Sequence, residues 1–188
     1  MTRNLTLKRT CLAMASLSLV IVIVSVLLAV ANRETPGVAG GGPALSVLDT
    51  AGPSLPPEVA SRPDMQQRLA DPSASRLAMS VRGKDIFVAK GHDNTICLLV
   101  VEQDSDRTTS GTCQDISVLG NRAILLVVSD AAGQTETIGV VANGFTSAHA
   151  AGQSAPVRNN AFALHDVQLQ DVQVSGNGRT INADIRTP

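Results

Sequence analysis

The chain reads as a mainly β protein: a small antiparallel β-sandwich or barrel that follows one N-terminal transmembrane helix. Three observations predict this. An uncharged apolar run fills residues 11–31, a Gly- and Pro-rich stretch continues to about residue 75, and from Arg76 onward short apolar runs alternate with turn residues. No segment after Arg76 carries a long helical period.

The N-terminal element comes first. Residues 1–10 hold Arg3, Lys8 and Arg9, and Cys11 to Ala31 is then 21 residues without a charge. As a helix this run spans about 31 Å, against a hydrocarbon core of roughly 30 Å. A helix also satisfies its own backbone, as lipid requires. Arg33 and Glu34 cancel on the far side. The positive-inside rule therefore places residues 1–10 in the cytoplasm and the rest outside it. Ala29-Val30-Ala31 fits a small-x-small cleavage site, so the alternative is a protein secreted after cleavage at Ala31. The length of the run favours the anchor, because a cleaved signal has an apolar region of roughly 7–15 residues. Cys11 precedes the run and so does not resemble a lipoprotein cysteine.

Residues 32–75 read as a flexible linker. Pro36, Gly37, Gly40, Gly41, Gly42, Pro43, Pro53, Pro56 and Pro57 crowd it. One short helix is expected inside it, with Ser61 as cap, Asp64 three residues on, Met65 to Ala70 as body and Asp71-Pro72 as stop. Ala44 to Leu48 is an apolar island that either docks on the domain or stays solvated, with docking preferred.

Residues 76–188 read as the extracytoplasmic β domain. Strands are expected at Asp85–Ala89, Thr95–Val101, Gly111–Leu119, Ala123–Val128 and Thr135–Val141. Gly120-Asn121 and Asn143-Gly144 mark turns. Phe145–Ala150 and Ala155–Asn160 are weaker strand candidates. Val167 and Leu169 share one parity and Val172 and Val174 the other, so a bulge or turn falls near Gln170-Asp171. Ser175 to Gly178 reads as a turn and Arg179 to Ile185 as the last strand.

Outside the cytoplasm thiols oxidise. Cys97 and Cys113 lie on consecutive expected strands joined by the polar segment Glu102 to Gly111, so a hairpin brings them together as a disulfide; the alternative is two free buried thiols. Without a Cys-x-x-Cys, a redox-active pair has little support.

Composition excludes several functions. Lys plus Arg is 15 and Asp plus Glu is 16, so the net charge of −1 points to neither nucleic acid nor an anionic surface. Phe87, Phe145 and Phe162 are the only aromatics, which removes stacking platforms for bases or sugars. His92, His149 and His165 lack zinc-ligand spacing. His165-Asp166 has no Gly-x-Ser-x-Gly partner, and adjacent strand residues face opposite ways. Asp104, Asp106 and Gly111 match a calcium loop poorly, and Gly176-Asn177-Gly178 lacks a third glycine and a helix. No catalytic, cofactor-binding or metal residue is therefore expected, and no cofactor. Arg158-Asn159-Asn160 reads foremost as a structural turn; asparagine pairs can also bind polar ligands.

Several motifs together resemble a family. They are Ser73-Ala74-Ser75-Arg76-Leu77-Ala78, Ile96-Cys97-Leu98, Gly111-Thr112-Cys113, Gly139-Val140-Val141-Ala142-Asn143-Gly144-Phe145 and Val157-Arg158-Asn159-Asn160-Ala161-Phe162. The pattern is similar to that of a loosely defined set of actinobacterial membrane-anchored or secreted proteins of unassigned function. It covers roughly residues 73–164. The chain departs from it at Ala142 and Asn143, where Pro-Asp is usual, and at Phe162, where Tyr is common. The resemblance implies export and a disulfide, and it implies no reaction.

The expected function is a non-enzymatic binding or interaction module, held in the cell membrane by its N-terminal helix. Its partner would be an extracytoplasmic protein or an envelope component. Loops carry function on β scaffolds, so Asn143, Gly144, Phe145, Arg158, Asn159 and Asn160 form the expected interaction loop. A passive structural envelope protein ranks second. A cell-envelope hydrolase using His165 or His149 ranks third.

Overall fold

A computed structural model describes residues 43–104, 106–130 and 133–183. The expected membrane helix at 11–31 lies outside the described residues. Among the described residues no helix is long and apolar enough to cross a membrane.

Eleven strands form three antiparallel sheets, and no barrel closes among the described residues. The first sheet has the order β1 (Arg76–Val81), β2 (Lys84–Lys90), β3 (Thr95–Glu102), β4 (Thr109–Asp115). The second is β5 (Ile124–Ser129), β6 (Thr135–Val140), β9 (Ala161–His165). The third is β11 (Arg179–Asn182), β10 (Gln173–Gly176), β7 (Ser147–Ala150), β8 (Gln153–Pro156).

Alternation sorts the strand side chains into layers. Ile86, Val88, Ile96, Leu98 and Val100 from the first sheet share a core with Ile124, Val128, Ile138 and Val140 from the second. The far side of the second sheet, with Leu125, Phe162 and Leu164, packs on Ala148, Ala150 and Val174 of the third. Gly139 makes room there: a Cβ would collide with the ring of Phe162, its cross-strand neighbour.

The outer face of the first sheet is covered as well, and this departs from the expected linker. Three short helices, α1 (Ser46–Asp49), α2 (Pro57–Ala60) and α3 (Pro63–Arg68), lie in the Pro-rich segment. Leu55, Val59, Met65 and Leu69 from this segment are buried with Phe87, Ala89, Cys97, Leu99 and Val101. Leu45 and Val47 enter the inter-sheet core. So β3 is apolar on both faces because both are covered. The prolines do not oppose this order. Pro57 and Pro63 sit at helix starts, where a missing N–H costs nothing. Ser61 does not cap α3 as expected; it closes the C-terminal end of α2, and Arg62 precedes α3 without a side-chain cap.

Other elements also differ from expectation. The strand expected over Gly111–Leu119 stops at Asp115, whose Oδ1 accepts from the Ser117 N–H at 2.8 Å and starts a 3-10 turn at Ile116–Gly120. That turn drives Leu119 into the core. A second 3-10 turn, Leu169–Asp171, accounts for the slip in parity before Val172. Strands β1 and β9 have no individual expectation in the sequence. β9 (Ala-Phe-Ala-Leu-His) escaped because Ala161 and Ala163 look neutral in a hydrophobic pattern.

Candidate functional site

The residues of the expected interaction loop are brought close, and mostly in structural roles. Arg158 and Ala161 exchange both backbone hydrogen bonds at 2.8 Å, which makes Asn159-Asn160 a two-residue hairpin turn. Both asparagines have positive φ, 47° and 66°, as a type I′ turn requires. Asn160 Nδ2 donates to Val141 O at 3.0 Å and to Asn143 Oδ1 at 2.8 Å. Its Oδ1 accepts from Val47 N at 3.0 Å and from Ser46 Oγ at 3.2 Å. Asn143 Oδ1 also accepts from Ser46 N. Asn159 Nδ2 donates to Ala78 O at 3.0 Å. Arg158 is exposed. The Asn143-Gly144 turn joins two strands that do not pair with each other, so it is not a hairpin tip.

Asn143, Gly144 and Phe145 do line a groove of about 530 Å³ with Leu119 and Arg179. Its Arg179 and Asn143 side chains are already engaged. Arg179 donates to Gly120 O at 2.7 Å and its guanidinium lies over the Phe145 ring at 4.7 Å. Asn143 is held as described above.

A different place shows uncompensated polarity. Five strands send inward-facing series into the inter-sheet core, and each series ends in an ionisable residue. In β2 the series is Lys84, Ile86, Val88; in β3 it is Ile96, Leu98, Val100, Glu102. In β5 it is Ile124, Leu126, Val128, extended by Asp130; in β6 it is Glu136, Ile138, Val140; in β9 it is Ala161, Ala163, His165. The register stacks these ends, with Lys84 opposite Glu102, Val128 opposite Glu136, and Glu136 opposite His165. One end of the core is therefore charged.

Glu136 is the centre of the cluster. It is 4 % exposed, and Lys84 is 6 % exposed. Lys84 Nζ lies 3.7 Å from Glu136 Oε2, and His165 Nδ1 lies 3.2 Å from Glu136 Oε1. Neither carboxylate oxygen has a partner within hydrogen-bond geometry. A cleft of about 410 Å³ opens beside the pair, lined by Lys84, Glu102, Asp130 and Glu136 together with Arg82 and Asp104. Gln103 shapes its wall through Gln103 N to Gly83 O at 2.8 Å and Gln103 Nε2 to Asp85 Oδ1 at 2.7 Å.

The other titratable candidates are apart from this cluster or serve the backbone. Asp166 accepts from the Thr135 N–H and hydroxyl, so it pins the start of β6. His149 Nε2 meets Ser147 Oγ at 3.0 Å on β7, and His92 is exposed on the β2–β3 turn. Among the described residues no three His, Cys, Asp or Glu side chains are placed to hold a metal ion. Sequence reading missed the charged end because Lys84, Glu136 and His165 are far apart in the sequence and fall on three different strands. The signal was present as the repeated pattern of alternate apolar residues closing on a charge.

Cys97 and Cys113 are directly paired across β3 and β4 and form a disulfide, with their Cα atoms 4.0 Å apart. Cys97 is fully buried on the outer face of the first sheet. Fold and site together define a disulfide-bonded, three-sheet β domain with a charged cleft at one end of its main core. Comparison with protein-family models, with curated proteins and with solved structures finds no match to this chain.

Proposed function

We propose that this chain is a membrane-tethered, extracytoplasmic binding module without enzymatic activity, and that the charged end of its inter-sheet core is the binding site. Residues 11–31 serve as the anchor, and the family resemblance, which implies export, agrees with that reading. The buried Lys84–Glu136 pair carries the argument. Burying two charges is costly, and a hydrophobic pair of similar volume is often as stable or more so. A domain this apolar has no structural need for the pair at the mouth of a cleft. A disulfide suits an oxidising compartment.

The test uses the full chain in intact cells. A photo-crosslinking residue at Gln103, on the cleft wall, should give an adduct that disappears with Glu102→Gln. Absence of any Glu102-dependent adduct ends the binding reading. Protease added outside the cells should cut the domain; protection from it, with cutting by cytosolic protease, ends the sidedness.

A second reading is hydrolytic. The Glu136–His165 contact of 3.2 Å resembles an acid that orients an imidazole base. Among the described residues no serine or threonine hydroxyl is hydrogen-bonded to the His165 ring, so a water nucleophile would be needed. Loss of a detected hydrolytic activity in His165→Ala would favour this reading over the first.

A further inference from the structure

We infer that Asn177 is a site of spontaneous deamidation, in which its side-chain amide becomes aspartate and isoaspartate. This goes beyond the binding reading and does not depend on it. The chain holds two Asn-Gly pairs, Asn143-Gly144 and Asn177-Gly178. Asn-Gly is the least hindered sequence for the reaction, because glycine has no Cβ to shield its backbone nitrogen. The Gly178 nitrogen attacks Asn177 Cγ and gives up its proton. The N–Cγ bond forms, the Cγ–Nδ2 bond breaks, and ammonia leaves with that proton. Water then opens the cyclic succinimide, at Cγ to give aspartate or at the backbone carbonyl to give isoaspartate.

The fold separates the two pairs. Asn143 Oδ1 accepts from Ser46 N at 2.9 Å and from Asn160 Nδ2 at 2.8 Å. Its Cγ cannot turn toward Gly144 N without breaking these bonds. Among the described residues no hydrogen bond holds the Asn177 side chain, and Asn177 and Gly178 are both exposed. They form the two-residue turn between β10 and β11, where Gly176 pairs with Arg179, so the Gly178 N–H lies outside the ladder. Their φ values of 48° and 73° fit a type I′ turn. β11 is an edge strand that pairs only with β10, so this hairpin opens at little cost. Opening lets Asn177 Cγ and Gly178 N meet outside the turn geometry.

The product changes a particular surface. Asn177 lines the groove that holds Phe145 and Arg179, and a Cβ at Gly144 would collide with its Nδ2. Among the described residues Arg179 is the only charged one lining that groove. Deamidation sets a carboxylate beside the Asn143-Gly144 turn and offsets the positive charge of Arg179.

The test incubates the full-length chain at mildly alkaline pH, folded and, in parallel, in denaturant. Peptide mass mapping follows deamidation at each Asn-Gly pair, and isoaspartyl methyltransferase labels the isoaspartate. In the folded chain Asn177 should react at least about tenfold faster than Asn143, the worth of the hydrogen bonds that hold Asn143. In denaturant the two should react at comparable rates. No reaction at Asn177 in the folded chain, a reaction at Asn143 as fast or faster, or the same ratio in denaturant overturns the inference. Aspartate at position 177 without isoaspartate overturns the succinimide route.

Discussion

Asn160 Oδ1 accepts a hydrogen bond from the Val47 backbone N–H at 3.0 Å, across 113 residues of chain. One amide thereby ties the start of the N-terminal segment to the hairpin turn before β9. The same side chain donates to Val141 O and Asn143 Oδ1.

Asn160→Gly should cost about 2–4 kcal/mol, because several buried polar groups lose partners together. Glycine keeps the positive φ, so the loss reports on the side chain alone. Denaturant unfolding measures it. A change below about 0.5 kcal/mol, the range of an ordinary surface substitution, would show that the network is dispensable.

The segment before β1 is part of the folded unit, since the compact unit runs from Gly41 to Pro188. A chain starting at residue 43 should unfold cooperatively. One starting at Arg76 should bind a hydrophobic dye and aggregate, because Phe87, Leu99 and Val101 lose their cover. Equal cooperativity of the two would refute the covering role.

The disulfide closes a loop of 16 residues. In the chain-entropy model that contributes about 3 kcal/mol. The double variant Cys97→Ala/Cys113→Ala should lose about 2–4 kcal/mol. Thiol labelling with and without reductant checks that the wild-type pair is oxidised.

Lys84 and Glu136 should be strongly coupled. Lys84→Met alone leaves a buried carboxylate with only His165, and should cost about 3 kcal/mol or more. Lys84→Met with Glu136→Leu should recover most of that loss. A double variant as unstable as the sum of the singles would mean that the two sites are independent.

Acid stability should depend on two surface aspartates. The Ser73 hydroxyl, then the Ser73 N–H, hold Asp71 below its ordinary pKa; the Ser117 hydroxyl and N–H do the same for Asp115. A depressed folded value means that the stabilisation is present above the ordinary aspartate value. It is lost as the pH falls through the folded value. Asp71→Asn with Asp115→Asn should therefore flatten the fall in melting temperature below about pH 4 and leave the slope near pH 7 unchanged. An unchanged acid limb would remove the assignment.

The two-sided burial of β3 was legible, since Thr95 to Val101 is apolar without alternation. The Cys97–Cys113 pairing was legible too, because a polar hairpin loop separates two consecutive strands that each carry one cysteine. The covering role of residues 43–75 was not. Leu55, Val59, Met65 and Leu69 are spaced irregularly among prolines, and periodicity detects only regular elements. The charged end of the core was not legible either. Lys84, Glu136 and His165 are far apart in sequence; register pairs Glu136 with His165, and the stacking of the two sheets brings Lys84 to them.

The order of residues by itself determined the β class, the main strands, the turn chemistry and the cysteine pair, because each follows from neighbours within about ten positions or from a single hairpin. Tertiary structure alone decided which faces are covered and where charge collects. Those depend on sheet stacking and strand register, which join residues tens of positions apart.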